Sequence, residues 1–190
     1  MPAPITTRRF TVEEYHRMAA AGVLHEDDRV ELLDGQFVVM TPIGSRHAAA
    51  VRRLEHIFHA AVGHGTIVSV QNPIEIGDYW EPHPDVGLLR RRDDFYADAH
   101  PRAEDVLLVI EVADTSAQDD QERKLPEYAR GGILEAWLVD LEHDAIEVHR
   151  EPGPAGYRAV EVLKRSVTLV PLLFPTAAIS VDEVLGPSPA

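Results

Sequence analysis

With 190 residues, 45% of them hydrophobic and 26% charged, the chain has the make-up of a folded globular protein with room for one sizeable core, which excludes a disordered or fibrous class. It has no cysteine, so disulfide staples and thiolate metal sites are excluded and any metal must be held by oxygen or imidazole. Against 18 basic side chains stand 32 acidic ones, and the formal charge of −14 disfavours non-specific attraction to phosphate backbones or anionic membranes.

No apolar run approaches the roughly 20 residues of a bilayer span, and the opening MPAPITTRRF lacks the apolar stretch of a signal peptide. The expectation is a cytoplasmic protein of one domain, residues 1–190, with its core between about 10 and 185.

In chain order, Thr11 stands three residues before Glu14, a capping-box spacing that predicts a helix from about Thr11 to Ala21. RVELLDGQFVVM sets Asp34-Gly35 between two apolar runs, the signature of a type I′ hairpin. Val51, Leu54, Phe58 and Ala61 recur at helical spacing, predicting a helix capped by Ser45 and running to about Val62. On it His47 projects onto the apolar face and His56 away from it. TIVSVQNPIEI and HPDVGLLR read as strands, the first an edge or bulged strand because of Pro73.

DVLLVIEV is apolar without alternation, as in a strand covered on both faces, and belongs at the sheet's centre. A helix ending at Gly131-Gly132 follows. Pro126 confines its regular part to a start near Gln121 to Arg123, because only the first turn has amide hydrogens to spare. EAWLVD returns to strand, AIEVHR and YRAVEVL form a hairpin across EPGPAG, and SVDEVL closes as a short helix.

Asp85 opens one strand and Glu111 lies near the end of the central one, where α/β sheets place ligands. Two carboxylates about 4 Å apart repel by roughly 4 kcal/mol at an effective dielectric near 20, so bringing them together calls for a cation, a proton or a lysine, with magnesium the natural guest. Taken singly, each also reads as an ordinary structural acid. Lys124 stands between Asp120 and Tyr128 at i−4 and i+4, so one helical face presents a carboxylate, an ammonium and a phenol. As an exposed pair, Asp120 and Lys124 would carry little energy.

ELLDGQFVVMTPIGSRHAAAV, then PHPDVGLLR, then VLLVIEVADTS and DQERKLPEYARGGILEAWLVDL, resemble in their order the Uma-two family of restriction endonuclease-like proteins, a branch of the PD-(D/E)xK nuclease superfamily. The resemblance spans about residues 10 to 185. It implies an α/β fold with a restriction-endonuclease-like mixed central sheet flanked by helices. It also implies magnesium or manganese on Asp85 and Glu111, Lys124 near the attacking water, and an acid from Glu31. The simplest superfamily motif sets its lysine two residues after the glutamate, where this chain has Ala113. Lys124 would replace it from the next helix.

Around this set, His47 and Gln71 are candidates for supporting or substrate contacts, each equally an ordinary packing or edge residue. Arg90, Arg91 and Arg92 could meet a phosphate backbone, or pair with Asp93 and Asp94. The functional expectation is a metal-dependent endonuclease hydrolysing DNA, in which the metal activates water and phosphate and Lys124 orients or deprotonates the nucleophile. DNA is the expected partner, no membrane is, and a homodimer is left open. The alternative is a non-catalytic nucleic-acid-binding or oligomeric protein on the same scaffold, which the charge of −14 favours.

Overall fold

The computed structural model describes residues 7–25, 27–114 and 118–187, the side chains of 118–122 excepted. The chain begins with α1 (Val12–Ala20), the hairpin β1 (Val30–Leu33) and β2 (Gln36–Val39), and α2 (Ser45–Ala61). Then come β3 (Thr66–Val70), β4 (Val86–Arg90), β5 (Val106–Ala113), α3 (Gln118–Arg130) and β6 (Glu135–Asp140). It ends with β7 (Ala145–Gly153), β8 (Gly156–Lys164), β9 (Thr168–Leu169), β10 (Ile179–Ser180) and α4 (Val181–Leu185).

The local rules hold at the N-terminal end. Thr11 Oγ1 accepts the Glu14 N–H at 3.1 Å while Glu14 Oε2 accepts the Thr11 N–H at 3.1 Å, so two otherwise orphaned donors are satisfied reciprocally. Asp34 and Gly35 turn the hairpin at φ 53° and 71°. A Cβ at position 35 would also stand 2.7 Å from Arg9 Cβ, so this glycine is needed for space as well as for conformation. The cap of α2 falls on Gly44 rather than Ser45, which has already entered the helix.

Six strands form the main sheet in the order β3-β4-β5-β6-β7-β8, antiparallel except for the β5–β6 pair. That pair is joined through α3, because parallel neighbours require a crossover. The mixed α/β architecture expected from the sequence is what the chain adopts, with β5 inside the sheet. Alternation along β5 divides two cores. Leu108, Ile110 and Val112 face α2, meeting Leu54 and Phe58 with Trp137 from β6, and α4 closes the same layer. Val109 and Ala113 lie in the opposite layer with Leu125 and Tyr128 of α3 and Leu33 of the hairpin. Glu111 shares their parity and points into that second layer.

Three departures have physical causes. The edge strand β3 stops at Val70, because Gln71 takes φ 53° and turns the chain out of the pleat before Pro73. Helix α3 begins at Gln118, earlier than Pro126 suggested; burial of Leu125, Tyr128 and Ala129 outweighs one missing amide hydrogen bond. The β9–β10 ladder is only two residue pairs long, too short for a periodicity signal.

Glu135, at the start of β6, is 1% exposed and well served. It accepts from Trp137 Nε1 at 3.0 Å, from Arg150 Nε at 3.0 Å and Nη2 at 2.7 Å, and from the Leu172 N–H at 2.5 Å.

Candidate active site

The antiparallel register pairs Val86 with Ile110, so Asp85 falls beside Glu111 where β4 begins and β5 ends. Hairpin β1 brings Glu31 over the same point, and α3 brings Lys124 and Tyr128. Glu31, His47, Asp85, Glu111 and Lys124 are all buried, between 3% and 8% exposed. Such a density of buried ionisable groups is exceptional for a globular interior. They line a cavity of about 80 Å³ together with Gln71, His83 and Arg29.

Asp85 is held on both oxygens. Oδ2 accepts the Val112 N–H at 2.9 Å and lies 2.9 Å from His47 Nε2, and Oδ1 accepts from Gln71 Nε2 at 3.2 Å. Gln71 also reaches Asp85 by its main chain, its N–H donating to the Asp85 carbonyl at 3.2 Å. The left-handed backbone at Gln71, disfavoured for a side chain of this size, therefore sits at the residue that orients the aspartate. Burial opposes protonation of His47, but the Asp85 hydrogen bond and charge, with Glu111 and Asp114 beyond, raise its pKa above the ordinary value. His47 Nδ1 is buried with no hydrogen-bond partner among the described residues.

Glu111 is less well served. Tyr128 O–H donates to its Oε1 at 2.5 Å, and the Lys124 ammonium stands 3.9 Å from the same oxygen. Burial, assisted by the charges of Asp85 and Glu31, pushes its pKa up to about 7 against the pull of Lys124 and Tyr128. Burial also drives the Tyr128 phenol well above its ordinary range, as do the neighbouring acids, so it remains a donor.

Lys124 Nζ lies 2.9 Å from Glu31 Oε2, whose other donor is the His83 N–H at 3.0 Å. Burial works against the ammonium, yet Glu111 and Glu31 outweigh it and hold the pKa above the usual lysine range. A lysine held this way is a fixed positive charge at neutral pH, not a base. His83 is the reverse case: burial, Lys124 and His100 lower its pKa to about 4, leaving a neutral imidazole on the cavity wall.

The structure thus brings together Glu31, Asp85, Glu111, Lys124, His47, Gln71 and Tyr128. It does not bring Arg90, Arg91 and Arg92 to them. Arg90 ends β4, five residues or roughly 16 Å of strand from Asp85, and Arg91 and Arg92 follow it. Arg90 Nε donates to the Glu104 carbonyl, Arg91 stacks on Phe95, and Arg92 pairs with Asp94 at 2.5 Å. Asp120 has its side chain outside the described residues. Sequence reasoning missed His83 and Arg29. His83 could have been suspected from its place in the His-Pro-Asp string, whereas Arg29 carries no local signal.

Beyond Arg29, Met40, Gln71 and His83 the cavity continues into a cleft of about 540 Å³ walled by Tyr15 and Leu24. Arg29 is exposed there and makes no ion pair among the described residues.

The fold is thus a mixed α/β sheet with acids and a lysine gathered near one strand end. The family profile of Uma2, described as "Putative restriction endonuclease", matches residues 12–182, and the chain belongs to this family. Its fold is that of a solved structure from Anabaena variabilis, described as a "putative nuclease belonging to DUF820", at a TM-score of 0.76 and 16% identity over 93% of this chain and 97% of that one. A search of curated proteins finds no match. Among the described residues, no helix is long and apolar enough to cross a membrane.

Proposed function

We propose that the chain is a divalent-metal-dependent endonuclease that hydrolyses phosphodiester bonds in DNA. The observation that carries this reading is the convergence of three buried carboxylates, Glu31, Asp85 and Glu111, with one buried lysine around a single small cavity. The donor set fits a hard cation: the ligands are carboxylate oxygens, and Glu111 is pushed toward protonation by burial and by the charges of Asp85 and Glu31, which a cation would offset. Asp85 and Glu111 would hold magnesium or manganese, with Glu31 at its edge. When bound, the ion supplies Lewis acidity toward a phosphoryl oxygen.

The chain's own groups divide the remaining work. His47, Gln71 and the Val112 N–H fix Asp85 in one orientation. Tyr128 does the same for Glu111. Lys124, held protonated by Glu31 and Glu111, orients the attacking water and stabilises the negative charge developing on the phosphoryl oxygens, without taking a proton itself. Arg29 supports the substrate strand where the cleft opens, a local cation on an otherwise acidic protein.

The test is nicking of supercoiled plasmid by purified protein in magnesium or manganese, beside Asp85→Asn and Glu111→Gln prepared identically. Metal-dependent nicking lost in both variants supports the reading, and equal nicking by all three proteins ends it. A second reading, a DNA-binding or oligomeric protein without catalysis, is favoured by the charge of −14 and by the local engagement of Arg90 to Arg92. It predicts no nicking under any metal.

A further inference from the structure

Away from the acid cluster, three residues from separate parts of the chain meet on the flank of α1. His16 comes from that helix, Glu81 from the segment that pairs with Leu32 of β1, and His100 from the loop preceding β5. One ligand atom from each lies within 4.8 Å of the others. His16 Nε2 is 2.6 Å from Glu81 Oε2, and the two imidazoles approach edge to face with centroids 5.6 Å apart.

From this geometry we propose a second metal site, on His16, Glu81 and His100, for a divalent transition ion of the zinc class. The donor chemistry selects the ion. Two imidazole nitrogens and one carboxylate oxygen form a three-ligand set suited to zinc with a position left open, whereas magnesium prefers an all-oxygen shell. Ligand atoms around tetrahedral zinc, bound at about 2.0–2.1 Å, stand roughly 3.3 Å apart. His16 and Glu81, at 2.6 Å, therefore have to separate slightly while His100 closes in, and the exposed His100 is free to supply that movement.

The electrostatics point the same way. Glu81 is 2% exposed, and among the described residues its ion-pair partner is His16. Burial, together with the charge of Glu75, raises its pKa. The fold has thus gathered a buried carboxylate and two imidazoles from three separate segments of the chain. A bound ion would tie α1 to the segment beside β1 and to the loop before β5, a structural clamp independent of the chemistry at Asp85.

The experiment uses the full chain carrying Glu111→Gln, stripped by chelation and kept in millimolar magnesium, so that zinc is offered to a protein whose acid cluster is disabled. Calorimetric titration with zinc chloride should show one equivalent taken up, and cobalt(II) should give the visible absorption of imidazole coordination. Adding His100→Ala should weaken zinc by at least the roughly 10–100-fold that loss of an outer-shell partner costs. Adding His16→Ala should do the same, and His56→Ala with His59→Ala should change nothing. Because His100 is exposed, its replacement leaves the fold intact, which circular dichroism verifies. No uptake by the parent protein, or unchanged affinity in the His100→Ala protein, overturns the proposal.

Discussion

Lys124 and Glu31 form a buried ion pair, 2.9 Å from Nζ to Oε2, between a helix and a hairpin strand that the main sheet does not directly connect. Removing one member of such a pair strands the other in a poor solvent, at a typical cost of about 3–5 kcal/mol. Lys124→Met should therefore lower the melting temperature in EDTA, and magnesium should recover much of the loss by replacing the missing charge. If Lys124 acts as a fixed cation, the variant's residual cleavage should keep the wild-type pH profile while kcat falls. A profile that changes shape would make the lysine a titrating participant instead.

Glu111 sets a pH dependence on the metal-free protein. The native state keeps its proton until about pH 7, while the unfolded chain releases it near the ordinary 4.5, so across that window the native state binds more protons. Stability contributed by this group therefore falls as pH rises from about 4.5 to about 7, by up to about 3 kcal/mol. Glu111→Gln should flatten that decline and melt higher than wild type at pH 8 in EDTA. Denaturant melts at pH 5 and pH 8 measure both effects, and a wild type equally stable at the two would remove the cost of ionising the buried Glu111 from the account.

Asp85 should behave differently from its neighbour. Its oxygens already accept from Val112, His47 and Gln71, so Asp85→Asn turns an amide NH₂ toward a donor. The expected cost is about 1–3 kcal/mol in EDTA and larger in magnesium, where the variant also forgoes stabilisation by the bound ion, and cleavage should drop to background. A stabilised Asp85→Asn would mean that charge, and not hydrogen bonding, dominates at this residue.

Arg29 and the Arg90–Arg92 run can be separated by salt. If Arg29 meets a phosphate, Arg29→Gln should weaken DNA binding evenly across sequences and reduce the salt slope by about 1. Replacing Arg90, Arg91 and Arg92 by Gln should leave the slope nearly unchanged, since their guanidinium groups already have local partners. Affinity measured at four salt concentrations distinguishes the two.

The sequence made the elements readable where a single local rule governs them. Thr11 and Glu14 announce the first helix, Asp34-Gly35 the hairpin, and the unbroken apolar run of β5 its interior place. Glu31, Asp85, Glu111 and Lys124 were legible as a set only through the order of their motifs, because no spacing rule links a hairpin strand to a helix nearly half the chain away. What stayed hidden depends on three-dimensional approach. His83 reaches Glu31 through its main-chain N–H, and Arg29 owes its exposure to the turn of the chain before β1. Conversely, Arg90 to Arg92 looked close to Asp85 in sequence, but an extended strand carries each residue about 3.3 Å farther from it.

The two buried glutamates on adjacent strands foretell how the protein would drift if freed from its task. Glu135 receives donors from Trp137, Arg150 and Leu172, so almost any replacement orphans several groups at once. Glu111 has Tyr128 as its hydrogen-bond donor among the described residues and two acids for company. In a library of variants sorted for folding alone, position 135 should tolerate almost nothing, while position 111 should admit glutamine readily. Sorting the same library for nuclease activity should reverse the pattern at 111 and leave that at 135 untouched, so mutational tolerance by itself would tell which carboxylate serves the fold and which is kept against its interest.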